Sequence, residues 1–144
     1  MTDPYLYTIC YGDTDAGGVV YFAHYLRLCE RAWTAFLNRK GWSLSEKAKD
    51  GILLTVKRIE AEYLSPAWYG MTVEVLTVPR EIARASFWFY HRIRNHATGA
   101  PIADIRSQMV PIRPTGKILR IPPDLRFILA QAEKTRHGEP GTKI

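Results

Sequence analysis

Twelve residues near the start of the chain hold most of its reactive chemistry: Tyr11-Gly12-Asp13-Thr14-Asp15-Ala16-Gly17-Gly18-Val19-Val20-Tyr21-Phe22. Two acids stand two residues apart, just ahead of glycines that let backbone approach a ligand closely. A segment of helical period follows, and the first amides of a helix have no intrahelical partner while its dipole favours negative charge. Such donors stabilise an oxygen that gains charge during a reaction. A carboxylate beside them acts as nucleophile or as general base on water. Carboxylate, oxyanion donors and a close-approach loop are the parts of an acyl-transfer site. Aspartates also cap turns and helix starts very often, and spacing alone favours that capping role.

Other constellations are weaker. The chain has no Gly-x-Ser-x-Gly elbow and no Gly-x4-Gly-Lys-Ser/Thr phosphate loop. His91 and His96 fall five apart on a strand and its turn, a poor metal spacing, and read as surface or packing residues; no metal site is expected. Cys10 and Cys29 are the only cysteines and lack ligand spacing. Both are expected to be buried, reduced thiols, Cys29 as part of the core. Phe87, Trp88, Phe89 and Tyr90 beside Arg92 and Arg94 have the composition of a base-stacking sheet. Such a run more often fills both faces of a central strand. Glu60 and Glu62 alternate with Ile59, Ala61 and Tyr63 and are expected to face solvent or a partner subunit.

The elements that must position these residues read in order. Residues 5–12 form a strand, and Asp13 to Gly18 a turn. From Tyr21 to Lys40, Phe22, Leu26, Cys29, Trp33 and Phe36 recur at steps of four and three, one stripe of an amphipathic helix of roughly 30 Å. Arg27, Arg31 and Asn38 take the opposite face, and Gly41 ends the helix. A short polar helix or loop spans 43–50. Strands are expected over 52–64, 71–79, 84–94 and 102–113, with His96 to Ala100 as a turn. A short helix over 124–131 follows Pro122 and Pro123. The pattern predicts an α+β fold, an antiparallel five-stranded sheet wrapped around one long central helix. Its open edge or face predicts self-association. A single domain is expected over 1–132, with 133–144 as a flexible tail.

At 144 residues, 47% apolar and 24% charged, the composition excludes a disordered chain, a collagen-like repeat and a disulfide scaffold. No apolar run is long enough to span a membrane. The N-terminus lacks a signal-peptide layout, so cytoplasmic residence is the expectation. The net charge of +6 lies wholly after residue 72, where twelve Lys and Arg face six Asp and Glu. That half is suited to an anionic partner, nucleic acid or a phosphorylated small molecule, or serves only to keep the protein soluble.

The stretch DTDAGGVVYFAHYLRLCERA, residues 13–32, resembles the N-terminal signature of the 4-hydroxybenzoyl-CoA thioesterase family, hot-dog fold acyl-CoA thioesterases that include those of bacterial Tol-Pal clusters. The matching features are Asp13 and Asp15, Gly17-Gly18, Val19-Val20-Tyr21, Tyr25 and Glu30-Arg31. The order of elements also suits a hot-dog fold. By this resemblance Asp15 is the catalytic carboxylate, the Phe22 backbone N–H polarises the thioester carbonyl, and Tyr11 lines the site. Tyr21, His24, Tyr25, Arg84 and Ser86 are the substrate-binding candidates. Where the Tol-Pal branch carries a His, this chain has Phe22, and His24 lies two residues on. Arg84 resembles a basic position near the nucleotide end of coenzyme A, with Arg80, Arg113, Lys117 and Arg120 as further candidates by charge.

The expected function is hydrolysis of an aromatic or short-to-medium acyl-CoA to free acid and CoA, with no cofactor and with self-association as a dimer or homotetramer. Tyr21, Phe22, Tyr25, Trp33 and Trp88 suit an aromatic acyl group, although core packing explains them equally. The alternatives are a hot-dog dehydratase or isomerase, which needs a His with a carboxylate, and a nucleic-acid-binding module on the basic second half. An acyl-carrier partner without catalysis is a further option.

Overall fold

The computed structural model describes residues 3–134. Strand β1 (Tyr5–Thr8) is followed by a 310 turn over Tyr11–Asp13, a hairpin, and a second 310 turn over Phe22–His24. Helix α1 (Tyr25–Arg39) and short α2 (Leu44–Lys49) lead into β2 (Leu53–Tyr63), β3 (Thr72–Arg80), β4 (Phe87–Asn95), β5 (Pro101–Ile112) and helix α3 (Pro123–Glu133). All strand pairs are antiparallel, in the order β1-β3-β4-β5-β2. The expected five-stranded α+β hot-dog architecture is the one observed. Of the tail expected over 133–144, Glu133 closes α3, and residues 135–144 lie outside the described residues.

Two local expectations are corrected. The first strand stops at Thr8, because the chain turns into the 310 segment at Tyr11. The helical stripe is also shifted. Tyr25, Leu28, Cys29, Ala32, Trp33, Phe36 and Leu37 are buried, whereas Phe22 is 61% and Leu26 36% exposed. Phe22 sits in a 310 turn of three residues per turn, so it falls out of phase with the 3.6-residue helix behind it. The helix ends as expected: Gly41 adopts φ 84° and its N–H returns to the Asn38 carbonyl.

The inner sheet face follows from the period of two along each strand. Val73, Val75 and Thr77 of β3, Phe87, Phe89, His91 and Ile93 of β4, and Ala103, Ile105, Ser107 and Met109 of β5 are all buried. Trp33 of α1 stacks on Phe89 at 6.0 Å, and Leu28 and Leu37 are fully buried, each contributing about 2 kcal/mol. Trp88 and Tyr90 point to the other face, beneath the guanidinium groups of Arg58 and Arg106. The aromatic run of β4 thus fills both faces. Among the described residues no helix is long and apolar enough to cross a membrane.

His91 is fully buried beside Phe89, with Nδ1 2.9 Å from the Thr77 hydroxyl. Burial pushes its pKa down to about 3 from an ordinary 6.5. The folded protein therefore keeps it neutral while the unfolded chain protonates it below pH 6.5. Stability falls as pH drops through that value, by up to about 1.4 kcal/mol per pH unit from this group. Urea unfolding at pH 7.5 and pH 5.5 is expected to show this loss in the wild type and a smaller one in His91→Gln.

Candidate active site

The two acids of the opening motif have different surroundings. Asp13 is buried, 6% exposed. Its Oδ2 accepts hydrogen bonds from the Tyr7 hydroxyl at 2.8 Å and the Cys10 amide at 2.7 Å, and its Oδ1 lies 2.6 Å from His24 Nε2. Burial alone would raise its pKa, but the Cys10 amide, Tyr7 and His24 together hold it below the ordinary carboxylate value. Burial and the same carboxylate push Tyr7 up to about 12. Tyr7 also carries the Arg31 guanidinium over its ring at 5.2 Å.

Asp15 is exposed at the tip of a hairpin over residues 14–20. Its N–H bonds the Val19 carbonyl at 2.8 Å, and its Oδ1 accepts the Gly17 N–H at 2.8 Å. Gly18 closes the turn at φ 81° and returns its N–H to the Asp15 carbonyl. A side chain at Gly17 would place its Cβ 3.3 Å from Asp15 Oδ1. The Gly-Gly pair thus supplies one positive φ and one open approach to the carboxylate. The second arm of the hairpin bonds residues 67–69: Val20 N–H to the Ala67 carbonyl and Tyr69 N–H to that of Gly18.

A cleft of about 530 Å³ opens here, lined by Tyr11, Gly12, Thr14, Asp15, Gly18 and Tyr69. Tyr11 is 81% exposed and meets Tyr69 edge to face at 6.2 Å. Phe22, whose N–H opens the 310 turn ahead of α1, packs its ring 4.7 Å from Tyr21. Its carbonyl accepts from the Tyr63 hydroxyl of β2 at 2.9 Å. Tyr25 lies in the core with its oxygen 3.4 Å from the Ala67 amide. Tyr21, Phe22, His24 and Tyr25 do not border this cleft, and His24 Nε2 is held by Asp13 on the side of β1.

Arg84 and Ser86 lie elsewhere in the subunit. They border a second cleft of about 550 Å³ with Thr55, Lys57, Gln108 and Val110. Ala83 and Arg84 also border a third cleft of about 680 Å³, with Arg120 and Arg126. Two of the charge-based candidates are held otherwise: Arg80 donates to the Pro79 and Glu133 carbonyls, and Arg113 to those of Asp50 and Gly51. The expected burial of Cys10 is corrected. Its thiol is exposed, because β1 ends two residues earlier, whereas Cys29 is buried and its pKa pushed up by desolvation. Among the described residues no cluster of three or more His, Cys, Asp or Glu side chains could hold a metal ion. Tyr63, Tyr69 and Arg126 escape a reading of the sequence, since each reaches its place from a distant segment, and so does Tyr7, which meets Asp13 through the turn between them.

Residues 10–129 match the thioesterase-like superfamily. The chain belongs to that superfamily. It is 30% identical over 120 residues to a 1,4-dihydroxy-2-naphthoyl-CoA hydrolase of Microcystis aeruginosa, covering 83% of this chain and 85% of that protein. It is 34% identical over 87 residues to the acyl-CoA thioester hydrolase YbgC of Escherichia coli, covering 60% and 65% of the two chains. The fold is that of a crystallised 1,4-dihydroxy-2-naphthoyl-CoA thioesterase from Synechocystis, with a TM-score of 0.85 at 22% identity over 94% of this chain and 100% of that one. This thioesterase is therefore a thioester hydrolase of the hot-dog fold. The comparisons support the superfamily level of the resemblance, with no assignment of 4-hydroxybenzoyl specificity.

The loop geometry carries a direct consequence for stability. Gly18→Ala forces a side chain into a positive-φ position and is expected to lower unfolding free energy by about 1 kcal/mol. Gly12→Ala, with nothing within 4 Å of its added Cβ, is expected to be near neutral. Urea titration of both variants checks the contrast.

Proposed function

We propose that this thioesterase hydrolyses an aromatic acyl-CoA in the cytoplasm, with Asp15 as the reacting carboxylate and the Phe22 N–H as oxyanion donor. The observation that carries this reading is the state of Asp15. One oxygen is fixed by the Gly17 N–H, and the carboxylate stands exposed in a cleft walled by Tyr11 and Tyr69. The free oxygen draws a proton from a water that attacks the thioester carbonyl, or attacks that carbonyl itself to form a mixed anhydride that water then hydrolyses, releasing the acid and restoring Asp15. Charge gathers on the carbonyl oxygen, the C–S bond breaks, and CoA leaves as its thiol once the thiolate is protonated. The exposed rings of Tyr11, Tyr21, Phe22 and Tyr69 favour a flat, apolar acyl group.

Self-association follows from β2. From Val56 to Leu64 this edge strand is exposed on both faces, and it offers Val56, Ile59, Tyr63 and Leu64 as apolar surface. A second copy pairing antiparallel about the strand midpoint at Arg58 satisfies the edge isologously. That pairing sets Tyr63 opposite Leu53 of the partner subunit. A homotetramer would join two such dimers.

Two clefts share Ala83 and Arg84, one bordered by Lys57, Val110 and Ile112 and the other by Arg120 and Arg126, and we read them as one trough. Such a trough suits the amide arm and phosphate groups of CoA. A nucleic-acid surface is disfavoured, because on the outer sheet face Arg92 pairs bidentately with Asp104 and Arg94 donates to Glu74 Oε2.

Asp15→Asn is expected to retain the fold by circular dichroism and to lose at least about 100-fold in kcat with aryl-CoA esters in a thiol-release assay. Wild-type turnover by that variant removes the assignment. The double variant Arg84→Ala/Arg120→Ala is expected to raise KM for an acyl-CoA about tenfold or more. It should leave KM for the matching acyl-pantetheine, which has no nucleotide phosphates, unchanged.

A further inference from the structure

We propose that Asp13 and His24 are positioning residues for this hydrolase, setting the distance between the Asp15 carboxylate and the Phe22 N–H. The proposal rests on the reading of Asp15 and Phe22 as the reacting pair. It goes beyond that reading because Asp13 and His24 are engaged with each other and with Tyr7, leaving Asp15 as the exposed carboxylate.

The hairpin bearing Asp15 stands on two feet, residue 13 on one side and residues 20–21 on the other. Asp13 clamps both. Its carbonyl accepts the Tyr21 N–H at 3.1 Å, one residue before Phe22, and its Oδ1 meets His24 Nε2 at 2.6 Å, two residues after. The Phe22 amide is thus bracketed by two bonds to the same residue. On the other side, Oδ2 accepts from Tyr7 in β1 and from the Cys10 amide, which ties the clamp to the sheet. Asp13 is also only two residues from Asp15.

One buried residue therefore ties the carboxylate arm and the helix start to a common point, its main-chain carbonyl holding Tyr21 and its side chain holding His24, Tyr7 and the Cys10 amide. A buried carboxylate holds its donors firmly, since leaving any of them unpaired is costly. The clamp acts on geometry, and a misplacement of about 1 Å between reacting groups lowers rate by about 100-fold while leaving substrate affinity nearly unchanged.

The test uses Asp13→Asn, His24→Ala and His24→Gln, each alone and in the Asp15→Asn background, assayed well below the melting transition of every variant. Asp13→Asn keeps an acceptor oxygen for Tyr7 and Cys10 but turns an amide toward His24; His24→Gln keeps a donor for Asp13. Asp13→Asn and His24→Ala are expected to lower kcat by about 10- to 100-fold, with KM within about threefold of wild type. His24→Gln should recover most of the loss.

In the Asp15→Asn background each of the three should lower the residual rate far less than it lowers the wild-type rate, because the distance to the Asp15 carboxylate no longer counts. Wild-type kcat in both Asp13→Asn and His24→Ala overturns the positioning role while leaving Asp15 in place. So does a loss that multiplies with that of Asp15→Asn, which marks a merely structural defect. Full activity of Asp15→Asn alone overturns the catalytic reading, and the positioning role with it.

Discussion

Burying one carboxylate dictates much of the local architecture. An ionised Asp removed from water must find donors for both oxygens, and Asp13 finds them on three segments: Tyr7 of β1, the Cys10 amide of the first 310 turn, and His24 at the entrance to α1. Each donor is useful only if its segment is in place, so satisfying the charge brings strand, loop and helix start together. Their joint pull outweighs the desolvation that would otherwise favour the neutral acid. The hairpin that follows inherits its orientation from this tie.

Two aspartates separated by a single residue have therefore taken opposite fates. Asp13 turns inward and becomes scaffold. Asp15 turns outward, keeps one oxygen on the Gly17 amide and leaves the other to solvent. A reacting group needs accessibility, and an organising group needs burial with every lone pair occupied. Neighbouring positions along an extended backbone point to opposite sides, but these two are two apart. The 310 turn ending at Asp13 is what breaks that parity.

The sheet sorts the remaining chemistry by face and edge. Its inner face is closed by α1, with Trp33 stacked on Phe89. The outer face is closed by its own ion pairs and cation–π contacts, with Arg92 on Asp104 and Arg106 over Tyr90. From Val56 onward β2 stays exposed, with only scattered contacts: Arg58 over Trp88, Glu60 on Arg58, and the Tyr63 ring 5.5 Å from Tyr25 of α1. The basic second half is sorted likewise. Arg113 is held by main-chain carbonyls, while Arg84, Arg120 and Arg126 border a cleft, Arg126 also donating to the Ala83 carbonyl at 2.6 Å.

The sequence by itself determined the elements and their kind. The switch from a period of two to a helical period after the Asp-x-Asp-x-Gly-Gly turn, followed by four strands, leaves few architectures open, because period and turn chemistry are local properties. The signature from Asp13 to Ala32 likewise pointed to the thioesterase superfamily and to the motif where the chemistry sits. Only the tertiary structure decided which aspartate is buried, why Phe22 leaves the helical stripe, that Cys10 is exposed, and where His24 points. It also placed Tyr63 on the Phe22 carbonyl and Tyr69 across the cleft from Tyr11. Two physical reasons act. Asp13, Phe22 and His24 take their places through 310 turns and partners 3 to 11 residues away, a backbone geometry that residue type alone does not fix, whereas Tyr63 and Tyr69 answer to segments far away in sequence, 41 residues for the Tyr63 contact.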